Sequence, residues 1–524
     1  MSTRKFTVLT TIALLGVTAF PEASQAQSLT VVGTYSHGGF DEGAAEIAAY
    51  DAESQQLFIT NAEDNTIDRL DITVPSSPQA KETLDLNAYG AGVNSVATNG
   101  NGLVAVAVEA DTQQDPGSVV FFTVEGEFVA QVEVGALPDM VAFTPDGETL
   151  LVANEGEPND DYTVDPEGSM SILAIPAFNL ALLQTHTPQT VTFGAFLADN
   201  PLPEGVRVFG PGATAAQDLE PEYIAIAADG NTAFVTLQEN NAVAVVDIAA
   251  AEITDILPLG TKDHSLPENA LDASNQDGEI NITTHPVWGL YQPDAIATLT
   301  HGEQIYFLTA NEGDARDYDA FSEETRIAEL TLDPDAFPNA AVLQDEAVLG
   351  RLKTTTTLGD TDGDGDYDEL YAYGARSFSV WTAAGELVWD SGSAFEEIVA
   401  SELPDDFNAT NDENNSFDNR SDDKGPEPEG ITVGQIGATT YAFIGLERVG
   451  GIVVYDVTDP TAPEYVTYTN NRNFAGDAAA GTAGDLAPEG LLFIPADESP
   501  NGTPLLVVTN EVSGTTSIYS LAGL

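Results

Sequence analysis

The 524 residues predict an all-β fold, a single β-propeller of four-stranded antiparallel blades. Three observations predict it. A short apolar run stopping at an Asn or Glu turn recurs along the chain, Asp-Gly turns join such runs in pairs, and no cysteine is present to staple a smaller fold. A period of tens of residues with paired β-runs marks a radial array, in which each unit buries its faces against its neighbours.

The clearest copy is LTANEGDARDY, residues 308–318. Others are LFITNAED around Glu63, VAVAVEAD around Glu109, LLVANEGEP around Glu155, AFVTLQENN around Glu239, AFIGLERVGG around Glu447 and LVVTNEVSG around Glu511. An eighth, LYAYGARSFSVW, puts Gly374 and Arg376 where the others put Asn and Glu. Eight copies give eight blades, with seven the alternative.

Each Glu-ending run follows another run with an acidic start, as in PDMVAFTPDGETLLVANEG from Pro138 and PEYIAIAADGNTAFVTLQEN from Pro221. Asp146-Gly147 and Asp229-Gly230 supply the hairpin turns between them. A third run comes after the Glu, as in residues 242–248 and 451–457, and a fourth precedes the next unit. In such a meander the start of the first strand and the end of the second share one end of the hairpin. The acidic positions therefore pair: Glu46 with Glu63, Asp139 with Glu155, Glu222 with Glu239, Asp294 with Glu312, Glu429 with Glu447, and Glu489 with Glu511. Together they predict a carboxylate ring at the mouth of a central channel. The strand starting at Leu29 has no partner in the first unit and is expected to complete the last blade, closing the array.

At the N-terminus, Arg4 and Lys5 precede an apolar stretch over 6–20, with Ser24 and Ala26 before Gln27. This is the pattern of a secretory signal peptide over 1–26, leaving a propeller domain over 27–524. No other run approaches the ~20 apolar residues of a membrane span. The expectation is a secreted protein, extracellular or periplasmic, monomeric and without a membrane span.

The chain carries 85 acidic and 15 basic residues, a net charge of -70. Such a balance excludes nucleic acid as a partner, repels anions, and strains a compact state unless cations neutralise it. Long loops over 156–168, 199–220, 261–290, 313–325 and 390–427 exceed what blade connections need and are expected to build a functional rim.

The most specific local motif, DTDGDGDYDE, places Asp360, Asp362, Asp364, Asp366 and Asp368 at alternate positions, with Gly363 and Gly365 for tight turns. Closely spaced carboxylates are what calcium needs, and Tyr371 stands where an EF-hand would have its closing Glu, so a short calcium cage is expected. The scarce cations form the second constellation. Arg316, Arg376 and Arg448 each follow a strand-end turn, while Arg420 and Lys424 lie in the loop leading to Glu429. Arginines among metal-bearing carboxylates suit the oxygens of a phosphoryl group. Glu155, Glu222, Asp294, Glu312, Glu429 and Glu447 are the expected rim metal ligands, for calcium and a second divalent or iron ion. No cysteine nucleophile, Gly-x-Ser-x-Gly elbow or phosphate-binding glycine loop is present, and the five histidines share no metal-ligand spacing.

From about Leu29 to the end, the chain resembles the choice-of-anchor I family and, more distantly, the propeller domain called esterase-like activity of phytase. LLVANEGEPNDDYTVDPEGS, LEPEYIAI, KDHSLPENALDAS, YQPDAIAT, LTANEGDARDY, DTDGDGDYDELYAYGARSFSVW and DNRSDDKGPEPEGI carry the resemblance. It implies an extracellular propeller with acidic motifs and, in some relatives, a phosphatase or phytase-like assignment. The resulting expectation is a secreted calcium-dependent phosphoester hydrolase acting on a small anionic phosphoester through metal. The alternative is a non-catalytic, calcium-stabilised surface or matrix recognition module.

Overall fold

The computed structural model describes residues 27–176 and 179–524. The expected signal peptide over 1–26 lies outside the described residues. The fold is all-β. Among the described residues, seven sheets of four or five antiparallel strands follow one another along the chain.

Their first strands are Ala48–Asp51, Gly92–Thr98, Pro138–Phe143, Ile224–Ile226, Ile296–His301, Pro428–Ile436 and Pro488–Ile494. These touch one another in chain order, and Pro488–Ile494 touches Ala48–Asp51. The second strands are the most apolar. Gln56–Asn61 and Leu505–Asn510 are buried at every position, because neighbouring sheets cover both of their faces. Apolar layers fill the gaps between sheets. Leu57, Ile59 and Leu70 of the first sheet pack with Ile494, Val507 and Ile518 of the last.

Buried asparagines fasten the ends of several second strands. Asn154 donates to Ser169 and Ser171 of the next strand, and Asn311 donates to Ser377 and Ser379. An amide buried there would cost about 1–3 kcal/mol if left unpaired, so the serines facing it fix the register.

Thr30–Ser36 pairs antiparallel with Thr515–Ser520, so one sheet holds strands from both ends of the described chain. The eighth unit expected at LYAYGARSFSVW forms no sheet of its own. Ser377–Thr382 is instead the third strand of the sheet built on Ile296–His301 and Gln304–Asn311, and Tyr371–Ala372 pairs in parallel with Trp288–Leu290. Residues 312–376 are an insertion between a second and a third strand. Gly374 marks the return: its φ is +71°, and a side chain there would strike the Glu312 carbonyl.

Candidate functional site

A β-bulge recurs in the first strands. Register shifts between Pro138 and Val141, Pro428 and Ile431, and Pro488 and Leu491 set two residues opposite one on the second strand. Each extra pair includes the acidic residue of that strand: Asp139, Glu429 or Glu489. A bulge bends the strand and re-aims a side chain, here at the end where the first strands gather. Glu222 obeys the same rule, since the Glu222 amide and the Tyr223 carbonyl both bond to the backbone of Thr236. In the second sheet, the shift between Val93 and Ser95 carries Asn94 in place of a carboxylate.

The electrostatics record the resulting ring. Burial raises the Glu222 carboxyl well above the usual range, followed by the charges of Glu239, Glu155, Asp294 and Asp139. Burial likewise raises Asp294, then Glu312 and Asp139; it raises Glu429, then Glu447, Glu312 and Glu489; and it raises Glu155, then Glu157 and Asp139. Glu46 is pushed up to about 8 by burial and then by Glu511 and Asp139. The expected pairing of Glu46 with Glu63 does not form: Glu63 is exposed, and Glu511 is the nearer charge. The other five expected pairs meet, and they merge into one field.

The cations divide into two sets. Arg316 is 2% exposed and donates to Asp218 and, at 2.6 Å, to Glu220, with its guanidinium 4.7 Å from the ring centre of Phe209. Arg376, 4% exposed with φ +52°, donates to the Asp272, Ser421 and Asp423 carbonyls and to Glu396 at 2.7 Å. Both were expected to grip a substrate. Buried acceptors take their donors instead, and they tie the long loops to the sheets.

Arg420, Lys424 and Arg448 converge as expected, joined by Lys353, on a polar cavity of about 280 Å³. Asp314, Glu324, Asp423 and Tyr373 complete its wall. Glu427 is the pivot. It accepts from Arg420 Nε at 2.8 Å and Arg448 Nε at 2.9 Å, and lies 3.2 Å from Lys424 Nζ. Despite complete burial these three cations, Lys424 foremost, hold its carboxyl far below the usual range. Burial pushes Asp314 up to about 7, with Lys424 opposing and Glu239 and Glu312 adding to the rise. Lys353 sits 2.8 Å from Glu324 and 3.1 Å from Asp423. The Tyr373 hydroxyl is buried, with Glu323, Arg207 and Thr355 around it.

Glu312, Glu427 and Glu447 bring oxygens within 4.8 Å of one another, the spacing of a metal cage. Lys424 and Arg448 already occupy that space, 2.5 Å from Glu312 and 2.9 Å from Glu447 respectively. Glu312 and Glu447, expected as metal ligands, here frame these cationic side chains together with Glu427. Glu155, Glu222, Asp294 and Glu429 belong to the ring.

The aspartate loop closes on itself. Asp360 accepts from the Gly363 and Gly365 amides, Asp362 from Asp364, Asp364 from Asp366, and Asp368 from Thr361. Asp360, Asp362 and Asp368 form one group of converging oxygens; Asp366 and Asp368 form a second with Asp333, which approaches from outside the loop. Asp364 joins neither group. This donor set of closely spaced carboxylates fits calcium.

Sequence reasoning missed Glu427, Asp333, Lys353, Asp314 and Tyr373. A signal existed for Glu427: Glu-Pro-Glu occurs at 220–222 and at 427–429, and in both the first Glu binds arginine while the second enters the ring.

The profile of the Choice-of-anchor I domain matches residues 46–460. Gigasin-3a of Magallana gigas is 36% identical over 195 residues, 35% of this chain and 68% of that protein. The mesenchyme-specific cell surface glycoprotein of Strongylocentrotus purpuratus is 28% identical over 283 residues, and the match spans 47% of this chain and 35% of that protein. The hydrazine synthase structure of Kuenenia stuttgartiensis aligns with 93% of this chain and 98% of its own at a TM-score of 0.46 and 11% identity. No helix among the described residues is long and apolar enough to cross a membrane.

Proposed function

The chain belongs to the choice-of-anchor I family, and from that premise we propose that it is an exported seven-bladed β-propeller that hydrolyses small phosphoesters with calcium. Seven sheets whose first strands touch in order and return to the first support that blade count, as does the pairing of Thr30–Ser36 within the last sheet. Export is supported by the leader pattern over 1–26 and by the likeness to a cell surface glycoprotein.

One observation carries the enzyme reading. Four of the chain's 15 basic residues line a single cavity, although acidic residues number 85. Arg420, Lys424 and Arg448 are held on Glu427, so their geometry is set before any ligand arrives. Preorganised donors of this kind bind a phosphoryl group without reorganising. Arg448 and Arg420 orient its oxygens, and Lys353, paired with Glu324 and Asp423, adds positive charge to the wall. Asp360, Asp362 and Asp368 would hold calcium, which when bound supplies positive charge that an acidic surface otherwise lacks. Hydrolysis of p-nitrophenyl phosphate and bis-p-nitrophenyl phosphate, with calcium and with chelator, tests the reading. Absence of turnover with calcium, zinc or iron supplied overturns it.

The second reading, a non-catalytic surface recognition module, is favoured by that same relative's description. It keeps the cavity as an anion-binding site. Binding of a phosphorylated ligand, abolished in Arg448→Ala and accompanied by no turnover, separates the two.

A further inference from the structure

Six of the seven first strands have a carboxylate within their first two residues or just before them: Glu46, Asp139, Glu222, Asp294, Glu429 and Glu489. Among the described residues, none of the six lies within ion-pair distance of a cation. The neighbouring cations are committed to Glu312, Glu427, Glu447 and Asp423. Glu222 is 8% exposed, faces Glu239, Glu155, Asp294 and Asp139, and its Oε1 is enclosed without any hydrogen-bond partner. Glu239 Oε2 and Glu429 Oε2 are orphaned in the same way. The other five of the six are half-buried. An enclosed carboxylate oxygen with neither donor nor counter-ion is costly, and the like charges around Glu222 add to that cost. The aspartates of the 360–368 loop converge among themselves and on Asp333, and none of them groups with a ring carboxylate.

We infer that a hard divalent cation, calcium by its ligand chemistry, binds on the axis of the array within the ring of Glu46, Asp139, Glu222, Asp294, Glu429 and Glu489. All the donors are oxygens, which disfavours zinc and copper. They come from separate strands with no preset octahedron, which suits the six to eight irregular ligands of calcium better than the strict geometry of magnesium; water completes the shell. The ion holds the first strands of different blades to one centre, as a structural lock. It is distinct from the loop ion and from the cationic cavity, and it does not rest on the hydrolase reading, since its test uses no substrate.

Protein stripped with a chelator is re-equilibrated with Ca²⁺ and its bound ions are counted by native mass spectrometry, for wild type, Asp139→Asn/Asp294→Asn and Asp362→Asn/Asp364→Asn. Each double variant is expected to lose an ion, and the quadruple variant to lose both. The ring variant removes repulsion at constant shape, so without metal it should melt above metal-free wild type and gain less from Ca²⁺. An unchanged ion count in the ring variant overturns the proposal. Should that variant fail to fold, Tyr223 gives an independent reading, because it is half-buried and the charges of Asp294, Glu489 and Asp139 act on its hydroxyl. In the loop-variant background Tb³⁺ emission excited through tyrosine should fall by more than half in Tyr223→Phe; emission unchanged by that substitution also overturns the proposal.

Discussion

Lys424 reaches Glu312 across 112 residues of sequence, its Nζ 2.5 Å from Oε1, and so pins the loop that ends at Gly425 to the end of a second strand. That contact places Arg420 and Glu427 beside Arg448, and the cavity exists because of it.

Arg448 is the cation whose loss should be felt most directly. Its side chain is 25% exposed, so its removal opens no sealed core. Losing one preorganised donor typically lowers turnover about a hundredfold or more. Arg448→Ala should show that fall on p-nitrophenyl phosphate, with an unchanged far-ultraviolet circular dichroism spectrum.

Arg376→Ala should behave differently. It strips a buried guanidinium from Glu396, leaving that carboxylate uncompensated along with three carbonyls. Breaking one side of a buried ion pair costs about 3–5 kcal/mol. Denaturant unfolding should report a loss of that order, and any loss of activity should follow the unfolded fraction.

The metal-free protein should become less stable as pH rises. Glu46 and Asp139 have folded values pushed up to about 8 and about 6, from 4.5 and 3.8. Between the unfolded and folded values the folded state holds more protons, so unfolding free energy falls with increasing pH across that window. The melting temperature in chelator should be highest at about pH 4 and decline towards pH 8.5. Glu427 runs the other way: its depressed value adds stability above its unfolded value, and this is lost only in strong acid. Saturating calcium should flatten the decline.

Asp362→Ala/Asp364→Ala should lower calcium content and loosen the 312–376 insertion before the sheets. Hydrogen exchange should show this as lost protection at Tyr367 and Asp368, whose amides bond to Thr331 and Gly359. Protection in the second strands should persist.

Much of this arrangement was written in the chain, and the parts that were not have physical reasons. The paired runs, the acid at the start of each first strand and the Glu after most second strands follow from hairpin geometry, so five of six carboxylate pairs could be placed from spacing. The Glu46 pair failed because Glu63 falls in an exposed turn after its strand, where nothing fixes its side chain. LYAYGARSFSVW reads as a second strand because its apolar pattern is the same in a third strand; only pairing separates the two. Arg316 and Arg376 look like rim residues in sequence, since a turn position does not reveal which acceptors a distant loop will bring. Lys353 and Tyr373 lie 71 and 51 residues from Lys424, inside the insertion, and no local signal ties them to the cavity.

The sheet shared by Thr30–Ser36 and Thr515–Ser520 has a kinetic meaning. Thr34 and Ser517 join hydroxyls at 2.9 Å across 483 residues, so the closing step is a loop closure of nearly the whole chain. The entropy of such a closure grows only slowly with length, but the search delays the final contact, and the unpaired edge of Thr515–Ser520 waits open meanwhile. Refolding should therefore end in a slow, concentration-sensitive phase in which association through that edge competes with closure. A circular permutant that joins the present ends and opens the chain within 404–417 would make the same hydrogen bonds local, and its last phase should be the faster one.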